Sequence, residues 1–212
     1  MRTRLLAATL ESLAEDGYAG STLSSIVRRA GVSRGAQVHH YPNKQSLFLD
    51  AAEDVLRHTY RRLGTLLLSV ADENNRLQAL IDATWEQVFD TPLFSAYAEL
   101  LVASQRDPEL AEAIRSLLLR VQNVFEAAVD HYFECVPGTR VDLKALFMQL
   151  GCLLFGLASQ ARLSENRDYV QVQLRLWVRQ ASLVMRARKG VKTVPPRPQA
   201  WDRPPLAARG AR

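Results

Sequence analysis

The sequence predicts an all-α fold of about nine helices, a three-helix N-terminal unit followed by a larger helical bundle. Three observations carry that reading. Apolar residues recur at three- and four-residue spacing along most of the chain, the period of a helix face. Helix starts are explicit at Thr91-Pro92 and Asp107-Pro108-Glu109, where an N-cap residue precedes proline at the first helical position. No stretch alternates apolar and polar residues as a half-buried strand does.

The elements follow in order. Leu5, Leu6, Leu10 and Leu13 make one stripe, stopped at Gly17 by a left-handed cap. Thr22 caps a second helix whose Leu23, Ile26, Val27 and Ala30 face inward. Gly31 ends it, Ser33 caps a short third helix, and Pro42 ends that one. Asn43 caps a fourth helix running through Leu47, Leu56 and Leu63 towards Val70. Val136-Pro137-Gly138 breaks the chain before a very apolar helix, about Val141 to Leu163, and Asp168 opens a last helix ending near Gly190. Beyond that point prolines and arginines replace the apolar period, which predicts a disordered basic tail over 190–212. The expected domains are 1–45, 46–189 and that tail.

Composition narrows the function. The chain has 212 residues, 48% of them hydrophobic, enough for a substantial core. The net charge of +5 is unevenly spread: residues 1–49 carry +3, residues 50–185 carry −5 and residues 186–212 carry +7. A basic N-terminal unit on an acidic body points to a polyanion partner for that end. Residues 1–16 lack the apolar core of a signal peptide. The most apolar run, Ala145 to Ala158, is short for a membrane span and contains Gln149. Cys135 and Cys152 form no disulfide framework; reduced thiols and a cytoplasmic location are expected.

Three short helices in residues 4–41, the last two meeting at Gly31, have helix-turn-helix spacing. The third helix is then the one that lies in the DNA major groove. Gly35 and Ala36 lack bulk, so backbone can approach base edges, and Arg34 has the reach for guanine O6 and N7. Lys44 and the helix starts at Thr22 and Asn43 suit phosphates.

The segment "TLSSIVRRAGVSRGAQVHHYPNKQSLF" resembles the DNA-binding segment of TetR-family (tetracycline-repressor-like) transcriptional regulators, and the likeness covers residues 2–50. It implies that Arg34, Gly35 and Ala36 face the groove, that Thr22, His39, His40 and Lys44 contact phosphates, and that Tyr41 packs inside. Ser33 joins this set at the start of the reading helix. Gln37 and Val38 stand where the family commonly has an apolar residue and a phosphate-binding tyrosine. The expectation is that Val38 loses the phosphate contact and Gln37 pairs with adenine.

One reading helix specifies few bases, so dimerisation is expected. The last two helices offer Leu143, Phe147, Leu150 and Leu154, then Leu174, Trp177, Val178 and Ala181. Their apolar faces also suit an ordinary buried pair within one chain; the family resemblance implies the dimer. Trp85, Phe89, Phe94, Tyr97, Phe125, Met148, Cys152 and Phe155 are the expected lining of an effector cavity, which the resemblance implies for a mostly apolar inducer. Glu86, Glu99 and Arg120 are the charged candidates beside it.

No cofactor or metal is expected. Adjacent His39 and His40 point about 100° apart on a helix and share no ligand-spaced cysteine or acid. The sequence lacks GxSxG, phosphate-loop, HExxH and CxxC patterns, so no enzyme is expected. The expected function is a ligand-responsive repressor that binds a double-stranded operator as a homodimer and touches no membrane. The alternatives are a small-molecule-binding helical protein with degenerate DNA binding and an enzyme built on a helical bundle.

Overall fold

A computed structural model describes residues 1–70, 76–164 and 167–195; the side chains of Ala36 and Leu93 lie outside that description. Among the described residues the order is α1 (Arg2–Gly20), α2 (Leu23–Ala30), α3 (Arg34–His40), α4 (Lys44–Ser69), α5 (Arg76–Thr84), a π-helical turn (Trp85–Phe89), α6 (Pro92–Ser104), α7 (Pro108–Tyr132), β1 (Phe133–Cys135), α8 (Leu143–Ala161), α9 (Asp168–Ala181) and β2 (Met185–Ala187). The chain forms two compact units. One comprises Met1–His58 with Thr91–Val121, the other Thr59–Asp90 with the described residues from Gln122 onward.

In the first unit α1–α3 do not close a core alone. Leu5, Leu13 and Ile26 are buried together with Leu47, Phe48, Ala51, Leu100, Leu110 and Ile114 of α4, α6 and α7. The expected boundary at residue 45 therefore falls inside one shared core. The helix ends follow local chemistry. Thr22 caps α2: Ser25 N–H donates to Thr22 Oγ1 at 3.1 Å, and Thr22 N–H donates back to Ser25 Oγ at 3.0 Å, a reciprocal capping box. Asn43 Oδ1 accepts from Ser46 N–H at 2.8 Å, and Asp107 Oδ1 from Leu110 N–H at 3.0 Å. Gly31 adopts φ +60°, ψ 41°, and Val32 N–H returns to the Val27 carbonyl at 3.2 Å. Gly31→Ala is expected to cost about 1–2 kcal/mol in urea unfolding, because a Cβ strains the left-handed backbone. The added Cβ also lands 2.6 Å from Arg4 Nη2, a flexible end that moves aside.

The second unit is centred on α8 and α9. Leu150, Leu154, Leu157, Ala158 and Ala161 are buried, as are Val170, Leu174, Trp177 and Ala181. Phe147 lies 5.4 Å from Phe133 and 6.1 Å from Trp177 between ring centroids. Two expectations are corrected here. The last helix ends at Ala181, and the chain turns into β2, which pairs antiparallel with β1 in the register Glu134↔Arg186. Arg186 donates to Glu134 at 2.8 Å across that pair. The segment after Gly190 is anchored as far as it is described: Arg76 Nη2 donates to the Val191 carbonyl at 2.8 Å, and His131 Nε2 lies 2.8 Å from the Thr193 carbonyl. The expected tail over 196–212 lies outside the described residues.

The faces of α8 and α9 also differ from expectation. Leu150, Leu154, Leu174, Trp177 and Ala181, expected at a dimer seam, fill this unit's own core. Leu143, Phe147 and Val178 are half-buried. The opposite faces carry Met148, Cys152, Val172 and Leu176, all exposed. Met148, Cys152 and Phe125 therefore do not line a closed cavity in this chain, because each points outward. Of the other expected lining residues, Trp85 is buried and Phe89 and Phe155 half-buried in the second unit, while buried Phe94 and half-buried Tyr97 belong to the first. By length and composition, Leu143–Ala161 is also long enough to cross a membrane, longer than the apolar run read from the sequence.

Candidate nucleic-acid interface

Helix α3 is only seven residues long and carries no acid. So short a helix is marginal alone and takes its place from its neighbours. Tyr41, just after it, is 2% exposed and donates its hydroxyl to Asp50 of α4. Asp50 also accepts from Arg2 Nε at 3.0 Å and Arg2 Nη2 at 2.8 Å. One buried carboxylate thus ties the end of the reading helix to α1 and α4. Burial, and then the bond to Asp50, holds the Tyr41 phenol above its ordinary pKa, so at neutral pH it stays a donor.

That anchoring decides which face of α3 is free. Arg34, Gly35, Val38, His39 and His40 are exposed, and the space around a Cβ at Gly35 is open. The His39 and His40 rings meet edge to face, 5.5 Å between centroids. Gln37 sits between α2 and α3 and is buried. It is 2% exposed, and its Nε2 donates to the Tyr41 carbonyl at 2.5 Å. The expectation that Gln37 reads adenine is therefore corrected, since its amide closes the C-terminal turn of α3. Lys44 is tied to α1. Its ammonium donates to the Tyr18 carbonyl and sits 4.1 Å above the Tyr18 ring. Partial burial lowers its pKa. It binds the end of α1 through this contact. Thr22 and Ser33 are exposed at the starts of α2 and α3, and the side chain of Ala36 lies outside the described residues.

The structure adds residues the sequence reading missed. A groove of about 310 Å³ between α2 and α3 is lined in part by Ser24, Arg28, Arg34 and Val38. Ser24 and Arg28 are one turn apart, opposite buried Ile26 and Ala30; that spacing was the available signal. Arg29 differs, being tied to Glu15 at 2.5 Å and Asp16 at 3.2 Å. Of the charged residues expected near a cavity, Glu99 accepts from Tyr18 N–H at 3.1 Å, where Gly17 kinks α1 with φ +69°. Glu86 is exposed.

The face is cationic, free of bulk at Gly35 and presented by the second helix of a helix-turn-helix. Residues 5–51, which hold all of it, match the family described as bacterial regulatory proteins, tetR family. The chain carries the TetR-family DNA-binding segment. It is 37% identical to the HTH-type transcriptional regulator CymR of Pseudomonas putida over 123 residues, covering 58% of this chain and 60% of that protein. It is 26% identical to the regulator BetI of Agrobacterium fabrum over 185 residues, covering 82% and 88%. The chain thus spans about 60% of the length of CymR. A transcriptional regulator from Rhodococcus sp. Rha1 superposes with a TM-score of 0.62 at 25% identity, covering 92% of this chain and all of that one. The chain pairs an N-terminal helix-turn-helix with a body of helices and one short strand pair.

Proposed function

We propose that this protein is a cytoplasmic transcriptional repressor that binds a palindromic operator as a homodimer and leaves it when a small effector binds. The observation that carries the reading is the exposed face of α3. Arg34, Gly35 and Val38 are free to meet base edges, while Gln37 and Tyr41 hold the helix from behind. Arg34 has the donor fork for guanine O6 and N7. Val38, 56% exposed, suits a thymine methyl or a sugar. Thr22, Arg28, His39 and His40 flank the groove as phosphate contacts.

The dimer in this reading uses the outer faces of α8 and α9. Met148 and Cys152 are one turn apart on α8, and Val172 and Leu176 one turn apart on α9. Exposed large apolar side chains gathered on one helix pair mark an interface. Effector and operator then oppose one another by linkage, because each favours a different spacing of the two reading helices.

Arg34→Ala tests the reading face. It is expected to weaken operator binding by about 1–3 kcal/mol and to relax preference at one base pair of each half-site. Binding titrations against operators varied at single positions measure this. An equal loss on every sequence would remove Arg34 from base reading.

A further inference from the structure

The groove of about 310 Å³ between α2 and α3 has an apolar wall as well as its two arginines. Leu23 and Val27 of α2 are half-buried there, while Val38 of α3 and Pro42, two residues after α3, are exposed. Arg28 and Arg34 complete the lining as cations, and both are exposed. Val38 is 56% exposed. A β-branched apolar side chain at an open helical position costs helix propensity and leaves apolar surface in water. The other exposed side chains of α3 are Arg34, His39 and His40, so an apolar strip is set into a cationic face.

That combination selects what enters. The cations suit DNA as the occupant, and the apolar wall suits an apolar group carried on it. In the major groove the C5 methyl of thymine is the apolar group on a base edge, whereas the sugars lie with the phosphates along the backbone. Val38 is one turn beyond Arg34 and lines the same groove; residues four apart share a helix face. Val38 therefore faces base edges together with Arg34. Beside it, the Gln37 amide nitrogen already serves the Tyr41 carbonyl at 2.5 Å, so recognition of an A·T pair here falls to the methyl of its thymine.

We infer that Val38, with Leu23, Val27 and Pro42 as the rest of the wall, receives the C5 methyl of a thymine in each operator half-site. Val38 is then a specificity determinant that tells thymine from cytosine and from uracil. This deepens the operator-binding reading above and rests on it. Four helical residues advance about 6 Å, close to two base-pair steps of about 3.4 Å. The thymine accordingly lies about two base pairs from the guanine that Arg34 meets.

The test uses the full chain and duplexes enriched by binding from a random double-stranded pool. Each thymine of the enriched half-site is replaced in turn by deoxyuridine, which lacks only the methyl, and fluorescence anisotropy reads the Kd. At one position the replacement is expected to weaken wild-type binding about fourfold per half-site, the worth of one buried methyl. Val38→Ala, a surface change that leaves the fold intact, is expected to erase the difference between thymine and uracil and to keep the guanine preference set by Arg34. A uracil effect that persists undiminished in Val38→Ala overturns the inference and leaves the operator reading standing. So does the absence of a uracil effect at every position. A pool that enriches no sequence overturns the operator reading, and the inference with it.

Discussion

Replacing Met148 and Leu176 together by glutamate is expected to give a monomer that keeps its fold and loses its operator. Both side chains point away from the second unit's core, Met148 at 51% and Leu176 at 43% exposure. A surface substitution of that kind changes monomer stability little. In an isologous interface each substitution counts twice, placing four carboxylates in the seam. Two linked reading heads bind far better than one, so separating them is expected to weaken operator binding by roughly 10²–10⁴-fold. Light scattering after size-exclusion chromatography measures the mass, and circular dichroism checks the fold. A variant that stays dimeric would place the interface on another face.

The second large effect is expected at Asp50. This carboxylate is 4% exposed and accepts from Tyr41 and from both donors of Arg2. Asp50→Ala leaves the Tyr41 hydroxyl buried without its acceptor and frees Arg2. Cutting a buried pair costs about 3–5 kcal/mol; Arg2 is half-exposed, so about 2–3 kcal/mol is expected here, read by urea unfolding. Tyr41→Phe removes the donor as well as the need for it and is expected to cost about 1 kcal/mol. The double variant is expected to lose less than the sum, since both changes act on one contact. Operator affinity falls in both variants, because α3 loses the tie that fixes its roll. Strict additivity would mean that Asp50 and Tyr41 act separately.

The fold was legible wherever local chemistry decides it. Thr22, Asn43 and Asp107 are N-caps in sequence and structure alike, and the glycine at Gly31 ends α2 with positive φ. What resisted reading was orientation. Gln37 and Val38 are neighbours on a seven-residue helix, and only the Tyr41 anchor decides that Gln37 turns in and Val38 out. Both faces of α8 are apolar, so periodicity gave no way to tell its core side, Leu150 and Leu154, from its outer side, Met148. The strands β1 and β2 are three residues each, too short to show a period. Residues 182–187 kept helical propensity, but pairing with β1 and the Glu134–Arg186 contact took precedence. Glu53 accepts from both Arg57 and Arg120, and the second contact joins residues 67 positions apart and carries no local signal.

The central claim is that two α3 helices read a two-fold DNA site. The most direct measurement is fluorescence anisotropy, with footprinting, on the DNA upstream of the protein's own gene against scrambled competitor at several salt concentrations. The account predicts tight binding that survives competitor and protects two inverted half-sites about one helical turn apart. Binding that scrambled DNA displaces and moderate salt abolishes, with no footprint, would contradict it and reduce the basic face of α3 to a nonspecific polyanion patch.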